Sequence, residues 1–267
     1  MPRPRVATGL FTNWDSILSV DERIVDLLRK TPKREPASEV LTTIEEVCYT
    51  LDCALRKGGR EYLISREVYG ELNEMFPKRM WRLGGNGYHM GKALYDRGFN
   101  PLVSYPCRPP RMMQASPNFR IAYRGGTNVP SEVAREGDPE YDHVVFEYKE
   151  NPALGIRGTG RHILSWDEMS SNGLLDVDFL DMATNTDHAD VLVLGYAHLL
   201  LPARKNVTDL IAQRLDHAQR PRVHLEVGEG SRESVEHAIK LMTKLQRVDS
   251  LGLNEREGIQ YLDVRSE

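Results

Sequence analysis

No stretch of this 267-residue chain approaches the roughly 18 to 20 apolar residues that span a bilayer. The longest apolar run, around Val191 to Leu201, is interrupted by Gly195 and His198 and followed by Pro202, so it reads as a buried strand and its exit loop. The N-terminal apolar stretch is broken by Asn13 and Asp15 and lacks the core of a signal peptide, so a cytoplasmic protein with no membrane partner is expected. Cysteine is scarce. Cys48, Cys53 and Cys107 are odd in number and show no CxxC spacing, which argues against a disulfide framework or a cysteine zinc site. A basic excess is also missing: 35 Lys and Arg against 39 Asp and Glu leave a net charge of -4, and Trp14, Trp81 and Trp166 form no stacking stripe, so nucleic acid is not the expected partner. Neither GxGxxG nor a Walker A sequence occurs. A small-molecule ligand is left as the default.

The length suffices for one large α/β domain with a small accessory domain, without staples. Val6 to Phe11 reads as a first strand, with Asn13, Trp14 and Asp15 in the loop after it. Apolar positions Val40, Leu41, Ile44, Val47, Leu51 and Leu55 predict a helix over Ser38 to Arg56, with Ser38 as a possible cap. Glu61 to Ser65, Arg120 to Tyr123 and His143 to Tyr148 read as short strands outside the regular alternation, which suggests a separate small sheet acting as a lid. Gly84, Gly85 and Asn86 open a helix to about Arg97, without a strand immediately before it at βαβ spacing. From Asp176 the alternation becomes regular: helix to Asp187, strand Asp190 to Gly195, helix Val207 to Gln219, strand Arg222 to Val227, helix Arg232 to Gln246, strand Val248 to Leu253. Such a series implies a parallel sheet covered on both faces.

Three sets of residues carry chemistry. Asn13 and Asp15 fall two apart after the first strand, where an amide and a carboxylate can hold neighbouring sugar hydroxyls, or simply form a turn. Gly84 to Gly87 let backbone approach a ligand at a helix N-terminus with Asn86 presenting its amide; a plain Asn cap is the alternative. His224 and Glu226 at one strand end, with Asn254, Glu255 and Glu257 after the next, offer oxygen donors for a hydrated Mg2+; helix capping by Asn254 with acidic residues in the first turn fits equally well. Gly228 to Ser231 reads as a loop and cap, and Glu233 with His237 as a solvated i,i+4 pair.

In chain order, Asn13 to Asp15, Arg82 to Asn86, His143 to Glu147, Arg161 to Asp167, Gly195 to His198, His224 to Glu226 and Asn254 to Glu257 resemble the ADP-dependent sugar kinases, the glucokinases and phosphofructokinases of the ribokinase-like superfamily. The resemblance runs over nearly the whole chain. It implies a ribokinase-like αβα sandwich with a mainly parallel sheet and a small β-rich lid: residues 1–34 and 166–267 in the large domain, 35–165 in the lid, interleaved with large-domain segments at about 78–118. It also implies Mg2+-dependent phosphoryl transfer from ADP to glucose or fructose 6-phosphate, a step of glycolysis. Asn13, Asp15, Gly85, Asn86 and His143 would contact the sugar, with Glu61 and Arg161 as candidates for a glucose hydroxyl and a sugar phosphate; Glu226, Asn254, Glu255 and Glu257 would organise the metal. The family's Gly-x-Gly-Asp motif, whose Asp serves as general base, does not occur. A C-terminally shortened chain is therefore expected, self-associating through an unfinished sheet edge, with a catalytically inactive sugar-binding or regulatory protein as the alternative.

Overall fold

Alanine, valine and leucine build the strands of a parallel sheet: Val6–Gly9 is buried throughout, while Val191–Gly195 and Arg222–Glu226 bury Leu192, Leu194, Val223 and Leu225 and leave most of the alternate residues partly or fully exposed. The computed structural model describes residues 3–265 apart from 39, 141, 167–173, 196–203, 217–218, 228–234, 237–238, 241 and 243–247. The chain divides into two units, one comprising Met1–Asn13, Leu83–Glu140 and Glu168–Glu267, the other Trp14–Arg82 and Tyr141–Asp167.

In the first unit, β1 (Val6–Gly9), β6 (Leu102–Val103), β11 (Val191–Gly195), β12 (Arg222–Glu226) and β13 (Ser250–Gly252) form a parallel sheet in the order β13-β12-β11-β1-β6. The register brings Gly9 beside Leu194, Gly195 beside Glu226, and Glu226 beside Gly252, so the carboxyl ends line up along one edge. Helix α4 (Asn86–Tyr95) packs on β1; a Cβ at Gly91 would lie 2.7 Å from the Val103 side chain, so the glycine sets that close approach. Helices α5 (Pro110–Ala115), α6 (Val177–Ala183), α7 (Arg204–Leu215) and α8 (Glu255–Arg265) complete the described helices of this unit. β7 (Ile121–Tyr123) and β8 (Gly126–Asn128) form a hairpin whose two turn residues, Arg124 and Gly125, both have positive φ, as a type I′ turn demands.

In the second unit, β2 (Asn13–Ser19), β3 (Val40–Leu41), β4 (Glu61–Ile64), β5 (Met80–Gly84), β9 (Asp142–Tyr148) and β10 (Gly160–Ser165) form a mixed sheet in the order β3-β4-β10-β9-β2-β5. Alternation along the strands turns Leu18, Val144, Phe146 and Leu164 toward helices α1 (Glu22–Lys30), α2 (Ile44–Lys57) and α3 (Arg66–Met75), where they join Ile24, Leu51 and Leu72 in one core. Each of these helices starts on a hydrogen-bonding cap: Asp21, Thr43 and Ser65 accept from the amides of Ile24, Glu46 and Val68.

Several local expectations need correction. Asn13, Trp14 and Asp15 are not a loop but the start of β2, whose partner β9 lies far along the chain. The α2 helix starts after Thr43, and Val40–Leu41 is a strand; Ser38 turns its hydroxyl to the Val40 carbonyl instead of capping. β5 runs straight into α4, and Ile121–Tyr123 pairs only within its hairpin among the described residues. Much of the expected helix over residues 232–246, with Glu233 and His237, and the Gly228 to Ser231 loop fall outside the described residues.

Candidate functional site

From β1 the chain reaches β6 on one side, and then returns to β11 on the other, which makes the carboxyl ends of β1 and β11 a topological switch point. Asn13 lies there, 1% exposed. Gly85 has φ of 87°, and a Cβ on it would come 2.7 Å from both the Asn13 Oδ1 and the Phe11 carbonyl oxygen, so only glycine passes this corner. Gly85 is also the N-cap of α4, which leaves Asn86 as the first helical residue, not the cap. Its side chain sits against Gly195, where a Cβ would be 2.8 Å from the Asn86 Cβ, and its amide makes no hydrogen bond among the described residues. Asn13, Gly85, Asn86 and the end of β11 thus converge; His198 lies outside the described residues.

Asp15, Glu61, His143 and Arg161 share the face of the six-stranded sheet opposite its helices. Asp15 is in register with His143, and His143 with Ser165. Ser165 donates to Glu61 Oε1 at 2.7 Å, and His143 Nδ1 stands 3.9 Å from the same oxygen. Arg82 bonds Glu147 at 2.8 Å and approaches Asp15 at 3.9 Å. Arg161 is paired across the strands with Glu147 and borders a cleft of about 630 Å³ with Ser19, Lys149, Asn151 and Thr159. Beneath Asp15 and His143, on the helix side, Asp142 accepts from the Tyr69 hydroxyl at 2.5 Å and pairs with Arg79 at 3.3 Å, and Arg79 also donates to the Ser16 hydroxyl. Burial and this contact push the Tyr69 hydroxyl up to about 12, and burial lowers the Arg79 guanidinium. Sequence reasoning missed Tyr69, Arg79, Asp142 and Ser165 as supports, because each acts through a partner distant in sequence.

Further along the same carboxyl edge of the parallel sheet, Glu226 Oε2 lies 3.1 Å from His224 Nε2, whose Nδ1 faces the Ser250 hydroxyl at 2.8 Å. Gly252 leaves room for the carboxylate, since a Cβ there would meet Glu226 Oε2 at 1.9 Å. Asn254 and Glu257 exchange bonds: the Asn254 amide donates to Glu257 Oε2 at 2.7 Å, and the Glu257 amide to Asn254 Oδ1 at 3.0 Å. This is a capping box starting α8. Glu257 is buried within it, while Glu255 is exposed. Among the described residues no three His, Cys, Asp or Glu side chains gather as a metal cluster. Half-exposed Glu226 and exposed Glu255 keep carboxylates suited to a hydrated Mg2+ that retains waters and phosphate ligands.

The architecture can be matched to solved structures. A hypothetical ADP-dependent phosphofructokinase from Pyrococcus horikoshii OT3 superposes with a TM-score of 0.66 at 18% identity, covering 98% of this chain and 65% of its own. An ADP-dependent kinase in complex with fructose-6-phosphate and ADPbetaS gives 0.74 at 14% identity, over 97% of this chain and 58% of that one. An adenosine kinase from Sinorhizobium meliloti gives 0.58 at 11% identity, over 98% and 68%. The chain therefore spans 65% and 58% of the length of the two ADP-dependent kinases. At such identities the likeness establishes the fold, which is ribokinase-like. No curated protein matches the sequence. Among the described residues no helix is long and apolar enough to cross a membrane. The family model for the ADP-specific phosphofructokinase/glucokinase conserved region matches residues 4–264, and the chain belongs to that family.

Proposed function

We propose that the protein serves Mg2+-dependent phosphoryl transfer from ADP to a hexose, glucose or fructose 6-phosphate, by binding and orienting the sugar. The observation that carries this reading is the corner at the switch point, where Asn13 lies against Gly85 and Asn86, whose amide makes no hydrogen bond among the described residues, lies against Gly195. Amides of this kind both donate and accept, which suits vicinal hydroxyls. Within the second unit, the carboxylates of Asp15 and Glu61 can accept from sugar hydroxyls, with the His143 ring nitrogen beside Glu61. Arg161 and Lys149 at the cleft could meet a sugar phosphate, but Glu147 and Glu150 line the same cleft, so its charge does not choose between glucose and fructose 6-phosphate. Mg2+, when bound, would neutralise phosphate oxygens, and Glu226 with Glu255 would be the side chains to hold it. Asn254 and Glu257 act through the start of α8.

The alternative reading is a protein that binds the sugar at the same residues without transferring phosphate. Calorimetry of the full chain with glucose and with fructose 6-phosphate, with and without ADP and Mg2+, separates the two. Sugar binding with sugar phosphate production supports the kinase; binding without turnover supports the second reading; no binding of either sugar defeats both. Asn86→Ala is expected to weaken sugar binding about tenfold or more while leaving the melting temperature nearly unchanged, because the amide it removes has no partner to orphan among the described residues.

A further inference from the structure

Two hydroxyls at the switch point lie wholly inside the first unit and face no ligand position. Thr12 and Ser104 are both 0% exposed. The Ser104 amide continues the β1–β6 ladder by donating to the Thr8 carbonyl at 3.0 Å. Its hydroxyl then donates to the Leu10 carbonyl at 3.0 Å, and the Thr12 hydroxyl donates back to the Ser104 carbonyl at 2.9 Å. The segment leaving β1 is thus stitched to the end of β6 at two points spaced two residues apart. From the opposite side α4 closes on it: Cβ atoms at Gly85 or Gly87 would each stand 2.7 Å from the Phe11 carbonyl oxygen. With Thr12 turned to Ser104, the Asn13 side chain lies against Gly85.

We infer that Thr12 and Ser104 are positioning residues for the hexose site: a reciprocal hydroxyl latch that fixes the backbone on which Asn13 is carried. The inference rests on the proposed role of Asn13 in sugar binding. A buried hydroxyl needs a hydrogen-bond partner, but nothing obliges it to choose a loop carbonyl on a neighbouring strand. Both hydroxyls make that choice, and the two bonds bracket Phe11, the second of them at the residue next to Asn13. An unlatched segment samples several backbone states, and only the fraction with Asn13 in place binds; the apparent affinity falls by that fraction.

The test uses the full chain and the hexose found to bind in the calorimetry above. Thr12→Val and Ser104→Ala are expected to weaken hexose binding about tenfold, with faster amide hydrogen exchange at residues 10–13. Thr12→Ser, which keeps the hydroxyl, is expected to retain the parent affinity. Leu51→Ala, in the core of the other unit, serves as a control that lowers the melting temperature without touching the latch. Hexose affinity unchanged in Thr12→Val and Ser104→Ala, or lost equally in Leu51→Ala, overturns the latch while leaving the sugar site standing. A parent chain that binds neither glucose nor fructose 6-phosphate overturns the site and the latch together.

Discussion

The two sheets present polar groups in different ways. The five-stranded parallel sheet is apolar along its strands and places its chemistry at the carboxyl ends, where glycines and buried hydroxyls hold short connections in position. The six-stranded mixed sheet has one face covered by helices, where Asp142 is buried with Arg79, and carries Asp15, Glu61, Glu147 and Arg161 on the other, along the strands themselves. A strand-end group depends on the clearance and bonding of a few loop atoms. A group on a sheet face depends on the strand register and on what lies directly underneath. The two arrangements therefore fail differently when perturbed.

The largest loss is expected from the support under the sheet face. Arg79 and Asp142 are almost fully buried, and Arg79 spends its remaining donors on the Leu72 and Phe76 carbonyls at the end of α3. Removing one partner leaves a buried charge uncompensated, so Asp142→Ala should cost about 3–5 kcal/mol in urea unfolding. The double substitution Arg79→Met with Asp142→Leu should recover part of that loss, since it leaves no buried charge unpaired although the Tyr69 hydroxyl loses its Asp142 acceptor. If Asp142→Ala were nearly neutral, the charged face would not depend on this pair.

A smaller effect, and one that depends on pH, comes from the sealed side of the same sheet. His162 is fully buried between Thr50, whose hydroxyl is 3.2 Å from Nε2, and the Tyr62 ring; burial lowers its pKa to about 3. The unfolded chain takes up a proton near the ordinary value of about 6.5, whereas the folded chain does not until much lower pH. Stability is thus unaffected by this group above about 6.5 and declines as pH falls from there toward 3, by about 1.4 kcal/mol per pH unit at most. Asp190, held down to about 2 by hydrogen bonds from Arg5, loses its contribution only at lower pH, so it does not mask the window from 6.5 to 5. In His162→Leu the decline over that window should be shallower by about one proton's slope, as read from urea midpoints at several pH values.

What could be read from the sequence follows the same division. Among the described residues the strand order after Asp176 was legible because apolar periodicity is local, whereas the glycines around Asn86 read as room for a ligand and in the structure make room for the Phe11 carbonyl and Asn13. Asn13 to Asp15 read as a turn because nothing nearby in sequence reveals that β9 will pair with them. Ser165 and Glu61 meet across 104 residues, and Tyr69 meets Asp142 across 73, so neither contact leaves a periodic trace. The Asn254 to Glu257 spacing was ambiguous for another reason: a capping box and a metal motif use the same residue types, and only the hydrogen bonds separate them.

That ambiguity supplies the smallest and sharpest prediction, since it divides one strand-end motif into two jobs. Asn254 and Glu257 satisfy each other's amides at the start of α8, so Asn254→Ala should cost about 1 kcal/mol of stability whether or not Mg2+ is present. Glu226 is half exposed, with His224 as its near neighbour, and Gln keeps both shape and hydrogen-bonding capacity. Glu226→Gln should therefore change stability by less than about 0.5 kcal/mol, yet abolish any enhancement of ADP binding by Mg2+. The two variants, compared by thermal melts and by ADP titration with and without the ion, should give opposite patterns. If Asn254→Ala removed the Mg2+ effect at full stability, the capping assignment would be wrong, and the amide would belong with the metal ligands.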